Sequence, residues 1–260
     1  MRSDHGHDGD IVDPARFLRA RTLVIFSLMF GSLVVILLQP RIPQSNAYHE
    51  FADQRSFFGV PGYLNVVSNI GFLFAGIGGI GACLIKPAGR LQNAWLSLFA
   101  GVSLIAFGSA YYHFAPGHST LVWDRLPMTI GFMGLLVAVL GEYVDERVGM
   151  LLVPMLIAGT ASVVFWYLND DLRLYLWIQA VPLMVIPALI LLFRPRYSHQ
   201  WLLAVSLGLY VIAKAAEFYD RGIFAATGNS LSGHTVKHVL SAAGCGAIAV
   251  MLHKRRPLIP

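Results

Sequence analysis

The sequence is poor in cysteine, with only Cys83 and Cys245, and both lie inside apolar runs. That excludes a disulfide framework and any cysteine-based zinc site, and leaves the two thiols as small buried hydrophobes. Charge is equally scarce. Charged residues make up 13% of the chain, against about 25% in a soluble globular domain. The net charge of +5 is not gathered into a basic stripe or arm, so a nucleic-acid partner is excluded. No proline- or serine-rich linker is long enough to divide the chain, and no internal repeat is evident. No small-residue cleavage site follows the first apolar stretch, which begins near Thr22, so this stretch reads as a retained helix rather than a signal peptide.

What is present is apolar sequence in long runs, with hydrophobic residues at 56% of the chain. A span of the hydrocarbon core needs about 20 mostly apolar residues. The runs predict eight spans, at 22–39, 64–85, 94–114, 124–143, 149–168, 174–193, 200–219 and 234–253. Only helices or closed barrels cross lipid, so the fold class is an all-α integral membrane bundle. With eight spans both termini share one side. That side carries Arg2, Arg16, Arg19, Arg21, Lys86, Arg90, Arg147, Arg194, Arg196, Lys254, Arg255 and Arg256. The other side carries only Arg41, Arg55, Arg125, Arg173 and Arg221. The positive-inside rule then places both termini in the cytoplasm, with loops 40–63, 115–123, 169–173 and 220–233 outside.

Ionisable residues inside membrane segments are rare and costly, which makes each a functional candidate. Ser109 and His113 stand at i, i+4 near the outer end of the third span. Asp124 opens the fourth span, also at the outer end. His234 and His238, again at i, i+4, open the eighth span from outside. Residues four apart share a helix face, so three separate stretches bring one serine, three histidines and one aspartate to one depth. Two histidines at i, i+4 form a clamp for a divalent metal. A third from another helix leaves the fourth tetrahedral position open, as in catalytic zinc. Zinc acidifies a bound water, a nearby carboxylate can move its proton, and a hydroxyl can hydrogen-bond an oxyanion. Taken singly, each histidine also suits a helix–helix hydrogen bond, and Ser109, between Gly108 and Ala110, also suits close packing.

The set Ser-x-x-x-His, an Asp eleven residues on at a helix start, and His-x-x-x-His near the C-terminus resembles the alkaline ceramidase family. That family belongs to a superfamily of membrane hydrolases that also includes progestin and adiponectin receptors. The Asn65-Val-Val-Ser68-Asn69 stretch is similar to the family's first core helix, and the resemblance covers roughly residues 48–253. It implies a seven-helix core at 64–253, preceded by a polar tail at 1–21, an extra transmembrane helix at 22–39 and an outer loop at 40–63. A basic tail follows at 254–260. It further implies zinc ligands at His113, His234 and His238, an acid/base at Asp124, and Ser109 on the oxyanion or the water. The reaction would be zinc-dependent hydrolysis of the linear amide bond of a ceramide-like lipid, yielding a free fatty acid. A compact chain of this kind suggests a bacterial inner membrane.

The family also carries calcium on acidic residues before its first core helix. Glu50 and Asp53 could offer oxygen ligands here, but Gly62 stands where a further acidic ligand is expected. The competing reading of this stretch is an outer lid with Arg55 paired to a carboxylate. Tyr111, Tyr112 and Trp123 line the site or mark the membrane interface. Tyr112 and Asp220 are also candidates to support a ligand histidine from behind. Lys214 and Glu217 at i, i+3 pair with one another, and Lys237 is read onto a different helix face from His238. His5, His7, His49, His118, His199 and His253 are not assigned to the metal. Two rivals stand beside the amidase: a receptor-like protein with a structural or sensing zinc site, and a haem or metal-transport protein.

Overall fold

A computed structural model describes residues 14–258, with side chains from residue 18 onward. Among the described residues the chain is helical, and its only bridges between extended segments are Phe57 with Val60 and Tyr197 with Pro257. The helices are α1 (Pro14–Leu38), α2 (Tyr63–Val67), α3 (Ile70–Ile85), α4 (Gln92–Phe114) and α5 (His118–Tyr143), followed by α6 (Leu152–Asn169), α7 (Arg173–Leu192), α8 (Trp201–Phe218), α9 (Asp220–Ala226) and α10 (Gly233–Lys254). Eight stretches among them are long and apolar enough to cross a membrane, α2 and α3 together counting as one.

The surface of these stretches is as apolar as their core. On α1, Leu23, Phe30 and Leu38 are 66%, 70% and 77% exposed, and Phe74, Leu84, Leu191 and Phe218 are exposed on other helices. Patches of this extent do not stay in water on soluble monomers, whereas lipid accepts them. The helix α1 begins at Pro14, inside the stretch assigned to the polar tail. Proline is suited to a first helical position, where its missing N–H is not needed, and Ala15 to Arg21 contains no helix breaker.

The helix α5 is the most buried and forms the axis of the bundle. It packs most extensively against α4, and the reason lies in glycine. A Cβ on Gly101 would come within 2.6 Å of the Gly131 nitrogen, and one on Gly134 within 2.6 Å of the Leu98 nitrogen. A Cβ on Gly108 would overlap the Trp123 carbonyl oxygen. That carbonyl has no helical donor, because residue 127 is proline and lacks an N–H. Small residues let backbones touch, and here they fix the height of Ser109 and His113 on α4 against Asp124 on α5.

At the opposite end of the bundle, buried Glu142 accepts from Trp95 Nε1 (3.0 Å), from Gln200 Nε2 (3.0 Å) and from Arg255. The stretch assigned to a basic tail is thus folded onto the bundle, with Pro257 bridged to Tyr197.

Candidate metal centre

Three histidines from two helices converge at one end of the bundle. His113 comes from the last turn of α4, and His234 and His238 from the first two turns of α10. All three are buried, at 3%, 4% and 2% exposure. Their ring centroids form a nearly equilateral triangle, with sides of 4.8, 4.9 and 4.8 Å. One ring nitrogen from each lies within 4.8 Å of the other two, so the group could hold a metal ion. His113 Nε2 and His234 Nε2 are 3.2 Å apart.

The neighbouring polar groups aim these rings. Ser68 Oγ lies 2.8 Å from His238 Nδ1 and also donates to the Asn65 carbonyl at 3.3 Å. A hydroxyl has one proton. With that proton on the Asn65 carbonyl, Ser68 accepts from Nδ1–H, and the lone pair of His238 is left on Nε2, facing the cluster. A hydrogen bond from the far nitrogen is the usual way a ligating imidazole is oriented. Asn65 also accepts from Thr235 Oγ1 (2.8 Å) and Ser232 Oγ (3.2 Å). Ser232 caps α10 by accepting from the Thr235 N–H. The start of α10 is therefore tied to α2.

Asp220 does not bond a histidine ring. Its carboxylate accepts from the backbone N–H of His234 (2.8 Å) and of Ala52 (2.9 Å). It anchors the first turn of α10, where an acidic group also suits the helix dipole. Tyr112 also contacts no ligand nitrogen. Its ring packs beside that of His113 at 4.9 Å, while its hydroxyl meets His49 Nδ1 at 2.9 Å. His49 Nε2 continues to His118 Nδ1 at 3.1 Å. Burial, together with His118 and Arg125, holds the His49 imidazole below its ordinary range.

The 40–63 segment lies over the cluster. Phe51 packs edge-on against His113 (4.7 Å) and His234 (4.5 Å). Glu50 and Asp53 do not converge. Asp53 takes both Arg55 Nε (2.8 Å) and Nη2 (2.7 Å), whereas Glu50 pairs with Arg221 at 3.4 Å. These arginine bonds hold the Asp53 carboxyl below its ordinary range, against the burial that would raise it. Arg55 also reaches the Ser230 carbonyl at 2.9 Å, so the segment is strapped to the loop before α10.

Ser109, Asp124 and His238 line one cavity of about 290 Å³. Ser109 comes to this cavity from α4 and Asp124 from α5. The cavity then runs away from the histidines between largely apolar walls, including Leu98, Leu135, Ile186, Leu203 and Ile248. Lys237 lines it too, contrary to the face expected for it, and donates to Glu217 at 2.8 Å. Glu217 is shared with Lys214, the partner expected for it. Tyr111 and Trp123 are 51% and 58% exposed and lie outside the cavity lining.

Sequence reasoning gave no role to Ser68, Phe51, Arg125 or Lys237. Ser68 carried a signal as part of the Asn65-Val-Val-Ser68-Asn69 stretch, and Arg125 and Lys237 carried one as ionisable residues inside the spans 124–143 and 234–253. No family model matches the chain, and no curated protein matches it.

Proposed function

We propose that the chain is a membrane-embedded, zinc-dependent amidase that splits a ceramide-like N-acyl lipid into a free fatty acid and an amine. The observation that carries this reading is the buried histidine triad beside a cavity that is polar at one end and apolar along its length. Nitrogens bound to one tetrahedral zinc at about 2.0–2.1 Å lie about 3.3 Å apart; His113 and His234 offer theirs at 3.2 Å, and the His238 nitrogen lies within 4.8 Å of both. The donor set is three neutral imidazoles with one position left over, the composition of a catalytic rather than a structural zinc.

When bound, zinc supplies a water acidic enough to react near neutral pH and a Lewis-acid contact for the amide oxygen. The chain does the rest. Asp124, which lines the cavity beside Ser109 and His238, accepts the proton as the water oxygen adds to the amide carbon. It returns that proton to the nitrogen as the C–N bond breaks. The oxygen ends in the carboxyl group of the fatty acid, and the nitrogen leaves as an amine. Ser109, which lines the same cavity, would hydrogen-bond the oxyanion or orient the water.

The apolar length of the cavity suits the acyl chain. Helices α7 and α8 are consecutive but scarcely touch, and both contribute side chains to the cavity. The gap between them gives a lipid a lateral route in, so the chain can stay in hydrocarbon while the amide reaches Asp124. The charge asymmetry of the loops supports cytoplasmic termini and a site near the outer face; the bacterial inner membrane rests on the compact chain and the resemblance. A seven-helix core with α1 added before it is the matching architecture. One observation favours the rival reading of a structural or sensing zinc site: Phe51 covers the histidines.

The test is release of fatty acid from an N-acyl lipid in neutral detergent micelles. Wild type should turn over. Asp124→Asn and His234→Ala, each with an unchanged helical circular dichroism spectrum, should lose activity by about 10²-fold or more. Undiminished hydrolysis by either variant would end the amidase reading.

A further inference from the structure

Arg125 follows Asp124 on α5 and lines the same cavity. It is 4% exposed. Buried charges are normally paired, yet Arg125 forms no ion pair among the described residues. Its Nη2 donates to the neutral Gln44 Oε1 at 2.6 Å, and its Nη1 is buried with no partner. The guanidinium carbon lies 4.0 Å from the Trp166 ring centroid and 4.5 Å from that of Tyr175. Such stacking fixes the plane of the fork but satisfies none of its N–H groups. Across the cavity, Lys214 and Lys237 share the single carboxylate of Glu217. The polar end of the cavity therefore carries three cations, Arg125, Lys214 and Lys237, against two carboxylates, Asp124 and Glu217.

The fork also has a defined place. It reaches Gln44 and lies near Tyr48, both in the 40–63 segment over the polar end. The apolar walls run the other way. A lipid whose acyl chain follows those walls, with its amide beside Asp124, directs its amine-side half towards Arg125.

We propose that Arg125 recognises a carboxylate on the amine-side half of the lipid, so that N-acyl amino acids are preferred over neutral amides of the same chain length. A planar guanidinium with a free N–H matches a carboxylate by charge-assisted hydrogen bonding. As a statement about substrate this rests on the amidase reading; as a statement about binding it does not. A carboxylate on an acyl chain has a second source, the fatty acid product, and the two are separated below.

The experiment is isothermal titration of the purified full chain in an uncharged maltoside detergent. The probes are N-dodecanoylglycine, N-dodecanoylethanolamine and dodecanoic acid. Wild type should bind N-dodecanoylglycine about tenfold or more tighter than N-dodecanoylethanolamine. That ratio should fall towards one in Arg125→Gln and recover in part in Arg125→Lys. Because it is a ratio within one preparation, a partly unfolded variant does not mimic the result. Equal affinity in wild type, or a preference that survives Arg125→Gln, overturns the proposal. Dodecanoic acid binding as tightly as N-dodecanoylglycine, with the same dependence on Arg125, also overturns it and assigns the fork to the product. If the preference holds but neither amide is hydrolysed, the amidase reading fails while the Arg125 site stands.

Discussion

Replacing Ser68 by alanine removes one oxygen from behind the histidine cluster and tests how that cluster is held. Ser68 Oγ accepts from His238 Nδ1 at 2.8 Å and donates its own O–H to the Asn65 carbonyl. In Ser68→Ala the Nδ1–H of a metal-bound, 2% exposed His238 loses its acceptor at 2.8 Å and is left with at most a poorer bond to the neighbouring Asn65 carbonyl. Leaving a buried donor unsatisfied costs about 1–3 kcal/mol. Without metal, the ring can move its proton to Nε2 or turn, so most of this cost falls on the metal-bound state. At 1.4 kcal/mol per decade, metal affinity should fall between about fivefold and a hundredfold, the range found when such supporting residues are removed. The assay is competition for zinc against a chromophoric chelator, with the melting temperature of the metal-free protein as control. Unchanged affinity in Ser68→Ala would refute the orientation of His238 derived above. An equal loss of metal-free stability would mean that Ser68 serves packing instead.

Gly108→Ala should separate α4 from α5, because the new methyl overlaps the Trp123 carbonyl oxygen. On the proposed amidase reading, hydrolysis should fall well before the fold is lost, since Ser109 and Asp124 sit beside this contact; turnover and melting temperature measured together check it. The Asp53–Arg55 pair should stabilise the segment over the cluster in a pH-dependent way. Its carboxyl is held below the ordinary value of 3.8. The stabilisation is therefore complete above about pH 4 and disappears as the pH falls through the lowered folded value. Hydrogen exchange of residues 51–57 should be faster in Arg55→Gln than in wild type at neutral pH, and the difference should close on acidification. A difference that widened towards acid would contradict this.

The histidine cluster was legible in the sequence because its parts are local. His234 and His238 share a face by helical period alone, and Ser109 with His113 does the same. Their depth followed from span boundaries, and their convergence needed only the bundle to close. The bundle itself was legible from apolar runs that no soluble fold carries. What was hidden depends on contacts distant in sequence. Phe51 reaches the cluster from a loop whose path no periodicity encodes. Lys237, adjacent to His238, was assigned to another face, yet a long side chain swings to Glu217 on α8. Arg125 read as an outer basic residue at a helix start, and the structure seats it between Trp166 and Tyr175 from two other helices. Asp220 was placed near the histidines correctly by depth, but it acts on the backbone of His234 rather than on its ring.

The measurement that bears most directly on the whole account is metal content by mass spectrometry of detergent-purified protein, wild type beside His238→Ala. The account predicts about one zinc per chain in wild type and its loss in the variant. Well-folded wild-type protein without zinc, or zinc retained after His238→Ala, would contradict it, and would leave the three histidines as contacts between α4 and α10.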